Sequence, residues 1–224
     1  MERLLQKEKG AKKALVIIRI IYIAGAVFFA VRGGLAGSLY EVIQSVATLV
    51  VIPGAWLVRK MFHWNGGYQL ECAIYIFCFL SWLMGSAGEL YYTVPYFDKM
   101  VHTLSGLFVS MLALALYLML ERGHSREGEN PKTPCLIVFF TSMGIAGMFE
   151  LCEFILTPIT GRDMQHVAET GVGDTMGDMF VCMIGTIITV IFMIVAITRR
   201  KPNFVTDAPS AFVAQNPRKR KEDK

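Results

Sequence analysis

The chain has 224 residues, of which 54% are hydrophobic and 18% are charged. Its mean hydropathy is +0.48, whereas soluble domains carry about 25% charged residues. This composition excludes secreted disulfide scaffolds, coiled coils and disordered chains. The five cysteines are odd in number and none forms a Cys-x-x-Cys pair, so we interpret them as apolar packing residues.

Six apolar stretches are long enough to cross a bilayer, whose core of roughly 30 Å needs about 20 helical residues. They extend over residues 14–32, 38–58, 69–92, 99–121, 134–157 and 175–198. The first follows two lysines, as in a secretory signal, but no small-x-small cleavage site comes after it. The sequence therefore predicts an all-α, polytopic six-helix bundle, a single transmembrane domain over residues 1–198.

Lysine and arginine are distributed unevenly between the two sides of this predicted bundle. If the N-terminus is cytoplasmic, 18 of them lie on the cytoplasmic side and only Arg32, Lys99 and Arg162 on the outer side. Arg19 lies inside the first span and is expected to extend back to the cytoplasmic face. The positive-inside rule thus predicts that both termini are cytoplasmic.

Residues 199–224 are predicted to form a basic, disordered cytoplasmic tail, because they are rich in charge and poor in large apolar residues. Two interpretations of this tail remain open. It is either a solvated anchor that sets the topology or a contact for anionic lipid. We expect no specific contact with nucleic acid.

Acidic residues, by contrast, concentrate on the outer side. Nine of the 18 fall in outer loops or in the outer half of a span: Glu41, Glu89, Asp98, Glu150, Glu153, Asp163, Glu169, Asp174 and Asp178. An acidic mouth of this kind attracts cations. Ionisable residues inside a span also indicate a functional site, because they must be paired, neutralised or exposed to a polar cavity.

The last three spans each carry two polar residues three or four positions apart, which places each pair on one helix face. The pairs are Asp98 with His102, Glu150 with Glu153, and Asp174 with Asp178. Nearby glycines, Gly147, Gly177 and Gly185, allow helix backbones to approach closely. If the three faces converge, these residues form one polar site beneath the outer surface, and the sequence leaves that convergence open.

Such a site needs a cation, a shared proton or basic partners, and only Lys99 and Arg162 are near enough to serve. Carboxylate and imidazole ligands suit zinc, manganese, iron, magnesium or calcium. The candidate metal ligands are His102, Glu150, Glu153, Asp174 and Asp178, and the two glutamates are also candidate general bases. In the alternative interpretation, Asp98, Asp174 and Glu153 are helix caps or interfacial residues.

The longest outer loop, residues 158–173, also contains polar candidates. Arg162, Asp163 and His166 lie in it, and the loop is either a lid over the site or an ordinary surface loop.

Three motifs in the second half of the chain resemble those of the YjdF-like family of bacterial inner-membrane proteins. The family's motif Tyr-Asp-Lys-x-x-His resembles Phe97-Asp98-Lys99-Met100-Val101-His102. Its motif Tyr-Glu-x-x-Glu-Trp resembles Phe149-Glu150-Leu151-Cys152-Glu153-Phe154. Its motif Asp-Thr-x-x-Asp-Met resembles Asp174-Thr175-Met176-Gly177-Asp178-Met179. The resemblance covers about 97–190, with a looser likeness to VanZ-like proteins. It implies a protein of the bacterial inner membrane with a site on these residues, and it supplies no reaction.

Three functions remain open from the sequence. The first is a divalent-metal-dependent enzyme that hydrolyses or transfers a group on a lipid or lipid-linked substrate at the outer interface. The second is a cation- or proton-coupled transporter, for which acids inside spans are suitable. The third is a non-catalytic assembly or resistance protein whose buried polar network serves packing.

Overall fold

The structure is a computed structural model that describes residues 2–121 and 132–217. Within these residues six helices are long and apolar enough to cross a membrane: Glu2–Ala36, Leu39–Phe62, Tyr68–Ala87, Phe97–Leu120, Lys132–Thr160 and Gly173–Thr198. We call them the first to sixth spans. No strand occurs in the described part of the chain. The predicted all-α fold with six spans is therefore confirmed, while the cytoplasmic placement of the termini stays a prediction.

The third span ends earlier than predicted. Its last turns, Phe79–Ala87, are π-helical, and Glu89 then adopts a left-handed conformation with a φ of 58°. A separate short helix, Leu90–Thr93, follows. The predicted end at residue 92 was wrong because apolar residues continue past the point where the backbone turns.

The fourth and sixth spans pack backbone against backbone. A Cβ added at Gly106 would lie 2.1 Å from the carbonyl oxygen of Cys182, and one added at Gly185 would lie 2.0 Å from that of Thr103. Only glycine allows this approach. Lys99 contacts Asp178 at 2.8 Å and Ser105, further along the fourth span, contacts Cys182 at 3.7 Å. Because the contacts advance in the same direction along both chains, the two spans run parallel and their first turns lie side by side.

The fifth span joins this pair at the same level. The Ser142 hydroxyl lies 2.8 Å from that of Thr186 and donates to the carbonyl oxygen of Gly106 at 3.4 Å. Glu150 lies eight residues further along the fifth span, about 12 Å at 1.5 Å per residue. That rise brings it to the end of the bundle where the fourth and sixth spans begin, which we call the site end.

Part of the predicted disordered tail is a helix, Phe204–Gln215, so that prediction was wrong for these residues. Asn203 and Thr206 form a capping box at its start, and Asp207 pairs with Arg3 and Lys7 of the first span. The buried residues Val205, Ala208 and Phe212, among others, form an apolar face against the bundle. The composition averaged over residues 199–224 did not reveal this face, because the basic residues outside the helix dominate the average. Residues 218–224 lie outside the described residues, as do Arg122 and Arg126, two of the 18 basic residues counted on the cytoplasmic side.

At the opposite end of the bundle, buried acids have close partners. Glu71 receives guanidinium groups from both Arg19 and Arg59. Glu8 accepts hydrogen bonds from the backbone N–H groups of Tyr68 and Gln69, at 2.9 and 3.1 Å. Arg19 thus reaches towards the end predicted to be cytoplasmic and finds an ion-pair partner there.

Candidate functional site

The centre of the site is a group of three residues, Asp98, His102 and Asp178, which we call the Asp–His cluster. Their ligand atoms all lie within 4.8 Å of one another. His102 Nε2 lies 3.4 Å from Asp98 Oδ1 and 3.9 Å from Asp178 Oδ1. Ligands of one zinc ion at about 2.1 Å are at most about 4.2 Å apart, so small side-chain movements would close the cluster on an ion. Its oxygen and nitrogen donors suit the divalent ions expected from the sequence.

Helix geometry explains why these residues meet. Asp98 and His102 are four residues apart in the fourth span and therefore lie on one face. Asp174 and Asp178 have the same spacing at the start of the sixth span. The close approach at Gly106 and Gly185 then brings the two faces together. The structure thus brings the polar faces of the fourth and sixth spans together, a point that the sequence left open.

Lys99 connects the acidic residues of these two spans. Its Nζ donates to Asp174 Oδ1 at 2.6 Å, to the two carboxylate oxygens of Asp178 at 2.8 and 2.9 Å, and to Asp98 at 3.3 Å. A single ammonium group is thus shared by three carboxylates. A cation bound at the Asp–His cluster would compete with this ammonium group for Asp178.

Glu150 is buried and takes a different partner. The amide of Gln165, in the loop between the fifth and sixth spans, donates to the backbone oxygen of Glu150 at 3.1 Å, to its carboxylate at 3.3 Å and to the Thr175 hydroxyl at 3.0 Å. Gln165 is itself only 7% exposed. The loop is therefore fastened to both neighbouring spans beside the site.

Glu153 lies one helical turn from Glu150 and is within electrostatic range of the Asp–His cluster. The charges of Glu150, His102, Asp98 and Asp178 all act on its carboxyl group. The site end thus combines five carboxylates, one ammonium and one imidazole.

A loop of residues 161–172 joins the fifth and sixth spans at this end, and Arg162 holds it at its surface. We call it the lid loop, after one of the two roles that the sequence leaves open for it. The guanidinium donates to Glu89 at 2.8 Å and lies 3.8 Å from the ring centroid of Tyr40 and 5.2 Å from that of Tyr92. Burial lowers the pKa of Arg162, but hydrogen bonds to Glu89 and Tyr40 outweigh it and hold that pKa above its usual value. Arg162 therefore stays charged while it connects the loop to other parts of the bundle.

The other two predicted loop residues have structural surroundings. Asp163 accepts hydrogen bonds from the backbone N–H groups of Val167 and Ala168, at 3.0 and 2.8 Å. The Ala168 and Val167 amides hold the pKa of Asp163 below its usual value. His166 precedes the short helix Val167–Thr170 in a left-handed conformation, with its ring 5.5 Å from that of Tyr92.

The structure brings the predicted residues together unequally. His102 and Asp178 belong to the Asp–His cluster together with Asp98, which the sequence marked as a neighbour of the site. In the described part of the chain, Glu150, Glu153 and Asp174 lie outside that group of mutually close ligand atoms. Asp174 reaches the cluster through Lys99, and Glu153 faces it.

Gln165 and Tyr91 are two residues of the site that sequence reasoning missed. The ring of Tyr91 packs 5.7 Å from that of Phe97, and the charges of Asp98, Glu153 and Asp178 act on it. Burial, followed by these charges, raises the pKa of Tyr91, so its phenol keeps its proton at neutral pH. Gln165 is a single polar residue in a loop, and Tyr91 fell inside the predicted third span as one of several aromatic residues near its end, so neither carried a signal that singled it out.

The site is open at one side. The side chains of Asp98 and Lys99 are 24% and 27% exposed to solvent, whereas the side chain of Asp178, one turn deeper, is 2% exposed. Access therefore runs from the end of the bundle inwards over a depth of about one helical turn.

The model of the family described as "Predicted membrane protein (DUF2238)" matches residues 14–199, and the chain belongs to this family. The YjdF-like family that its motifs resemble is the same family. The chain is a multi-pass membrane protein. No curated protein and no solved structure matches it.

Proposed function

We propose that this member of the family is a metal-dependent enzyme of the membrane interface, which hydrolyses or transfers a group on a lipid or lipid-linked substrate. The observation that carries the proposal is the mutual proximity of ligand atoms from Asp98, His102 and Asp178. These residues would hold one divalent ion, of the class zinc, manganese, iron, magnesium or calcium. When bound, such an ion polarises an ester or phosphoryl oxygen or activates water.

The neighbouring residues suit the remaining steps. Glu153 faces the cluster and has, among the described residues, no side-chain hydrogen bond, so it is the better candidate to accept a proton from the nucleophile. Lys99 neutralises negative charge beside the reacting group, and Tyr91 is a protonated phenol next to the same carboxylates. Gln165 orients Glu150 and fastens the lid loop, which limits the access of water.

The depth of the site favours a substrate in one leaflet. Asp98 and Asp174 lie in the first turns of their spans, and the Asp–His cluster reaches one turn deeper. Transport sites usually lie near the bilayer midplane. A site at this depth is well placed for a headgroup or a linkage close to it. With the predicted orientation, this is the outer leaflet of a bacterial inner membrane.

One observation favours cation- or proton-coupled transport as a second candidate. The ammonium group of Lys99 is held by Asp98, Asp174 and Asp178, so a cation that enters competes with a charge already present. Exchange of this kind is the first requirement of coupled transport. Cation-dependent flux in liposomes that hold the purified protein distinguishes this candidate from the enzyme.

Elemental analysis of the detergent-purified protein tests the proposal. We expect a near-stoichiometric divalent metal, either as purified or after incubation with zinc, manganese, magnesium or calcium. Asp178→Asn and His102→Ala should each reduce it at least tenfold in protein that still elutes as a single folded species.

Asp207→Asn is the matched control, because Asp207 is equally buried and ion-paired but lies in the helix Phe204–Gln215. Its metal content should equal that of the wild type. Wild-type protein without metal after all four incubations would overturn the proposal, and so would a metal that both cluster variants retain.

A further inference from the structure

A second, apolar site lies at the opposite end of the bundle. A cavity of about 510 Å³ separates the second half of the second span from the third and fourth spans and from the helix Phe204–Gln215. Its lining includes Val51, Gly54, Val58, Leu70, Leu116 and Phe212. Leu116 is 18 residues beyond Asp98 in the fourth span, about 27 Å along the helix. The cavity is therefore independent of the candidate metal site.

The backbone explains why the cavity exists. The second span changes to a 3₁₀ turn at Thr48–Val50, and no residue of the following segment, Val51–Phe62, is buried. Gly66 and Gly67 then turn the chain in left-handed conformations, with φ values of 67° and 74°. A Cβ at Gly67 would lie 2.9 Å from the Phe212 ring. The helix Phe204–Gln215 thus closes one wall, while the segment Val51–Phe62 forms another wall without any buried residue of its own.

Charge at the wall of the cavity is not balanced. Arg59 and Glu71 both line it, and Arg19 shares the same carboxylate. The two guanidinium groups share this one carboxylate, so the group of three carries a net charge of +1, while the nearby Glu8 carboxylate is held by the backbone N–H groups of Tyr68 and Gln69. The Nε atom of Arg19 is buried and has no hydrogen-bond partner among the described residues.

We propose that this cavity binds an anionic phospholipid, with an acyl chain against the apolar lining and the phosphate group at Arg59. An acyl chain suits the lining, which is apolar apart from Arg59 and Glu71 and opens between spans where membrane lipid has access. The surplus positive charge selects an anionic headgroup over a zwitterionic one. Lys60 follows Arg59 in the chain and adds to the basic character of this end, which the positive-inside rule assigns to the cytoplasmic leaflet.

Lipid binding by the intact protein tests this inference. Native mass spectrometry and thermal unfolding in detergent would be run with phosphatidylglycerol and with phosphatidylcholine of identical acyl chains. We expect one phosphatidylglycerol to stay bound and to raise the unfolding temperature, and phosphatidylcholine to be retained at least tenfold less. Equal retention of the two lipids, or retention of neither, would overturn the proposal.

Two pairs of variants locate the site. Arg59→Gln should abolish the preference for phosphatidylglycerol, whereas Lys60→Gln removes the same charge one residue later, outside the lining, and should keep it. Equal behaviour of these two variants would contradict the assignment of the phosphate to Arg59.

Gly54→Leu tests the acyl-chain site without touching a charge, which matters if Arg59→Gln fails to fold. A Cβ at Gly54 meets nothing within 4 Å, so a leucine there fills the cavity without a clash. We expect it to lose bound lipid. Gly34→Leu, at a helical glycine with the same free space but outside the cavity, should retain it. Retention of lipid by Gly54→Leu would rule out the cavity as its site.

Discussion

The two ends of the bundle contain buried acidic residues in very different surroundings. At the opposite end, Glu71 has two arginines, Asp207 has Arg3 and Lys7, and Glu8 has backbone N–H donors. At the site end, five carboxylates lie near only one ammonium group, which contacts three of them, and one imidazole, because the arginines there are engaged elsewhere. Arg32 pairs with Glu41 and Arg162 with Glu89.

This difference separates structural from functional charge. A buried acid with enough partners stabilises a fold or is neutral to it, and its removal leaves unpaired cations. Carboxylates in excess repel each other and persist only where a cation or a proton joins them. We therefore interpret the paired acids of the opposite end as structural, and the proposed function assigns the site-end acids to cation binding.

The largest loss in the free energy of unfolding should follow from breaking an ion pair at the opposite end. Glu71→Gln leaves Arg19 and Arg59 without a carboxylate and should lower the free energy of unfolding by roughly 2 kcal/mol, less than a fully buried pair because both guanidiniums are partly exposed. Asp178→Asn should leave it unchanged or raise it, since it relieves repulsion. Denaturant unfolding in detergent measures both. An equal loss in the two variants would make the Asp–His cluster structural.

Hydropathy alone predicted the six spans, because a bilayer demands long apolar helices wherever a chain crosses it. Helix spacing predicted that Asp98 and His102 share one face and that Asp174 and Asp178 share another, because this signal is periodic. Whether the two faces meet stayed open, since it depends on the backbone contact at Gly106 and Gly185. The lid loop was less predictable. Gln165 is fastened to Glu150 by contacts between residues 15 positions apart, and nothing in the sequence around it marks such a pair.

The C-terminal helix Phe204–Gln215 was missed for the same reason, because it too depends on contacts with residues distant in the sequence. Its apolar face is short and becomes buried only against the fourth span and Trp64, whose ring lies 5.2 Å from that of Phe212. Asn216 completes this contact by hydrogen bonds with the backbone of Asn65, at 2.6 and 2.7 Å. Tertiary contacts of this kind determine whether a short amphipathic segment folds.

The second largest effect should come from separating the spans that form the site. Gly106→Ala places a methyl group 2.1 Å from the carbonyl oxygen of Cys182, so the fourth and sixth spans must move apart. We expect a loss of about 2 kcal/mol in unfolding free energy, together with lower metal content. Gly147→Ala has free space and should be neutral or stabilising by about 0.5 kcal/mol. If Gly106→Ala proved equally harmless, backbone contact would not position the site.

A smaller change in stability should distinguish Gln165, which contacts Glu150 at the site end, from Gln69, which contacts Glu8 at the opposite end. Gln165→Leu removes the donor from Glu150 and should cost about 1 kcal/mol, with faster amide hydrogen exchange across the lid loop. Gln69→Leu removes a similar contact to Glu8, which keeps two backbone donors. It should leave exchange in the lid loop unchanged. Unaltered exchange in Gln165→Leu would show that Gln165 does not fasten the loop.

The smallest effect is a pH dependence confined to the lid loop. The backbone N–H groups of Ala168 and Val167 hold the pKa of Asp163 below its usual value of 3.8. Its contribution to the short helix Val167–Thr170 is therefore complete well above pH 3.8 and is lost as the pH falls through the lowered pKa. Amide hydrogen exchange of residues 167–170, measured in the wild type and in Asp163→Asn at each pH, reports this contribution. The wild type should be better protected at pH 6 and should lose this advantage progressively as the pH falls below 3.8. A difference that stays constant with pH would exclude the carboxylate as its source. A change that spread to the second to fourth spans would mean that the lid loop is coupled to the whole bundle.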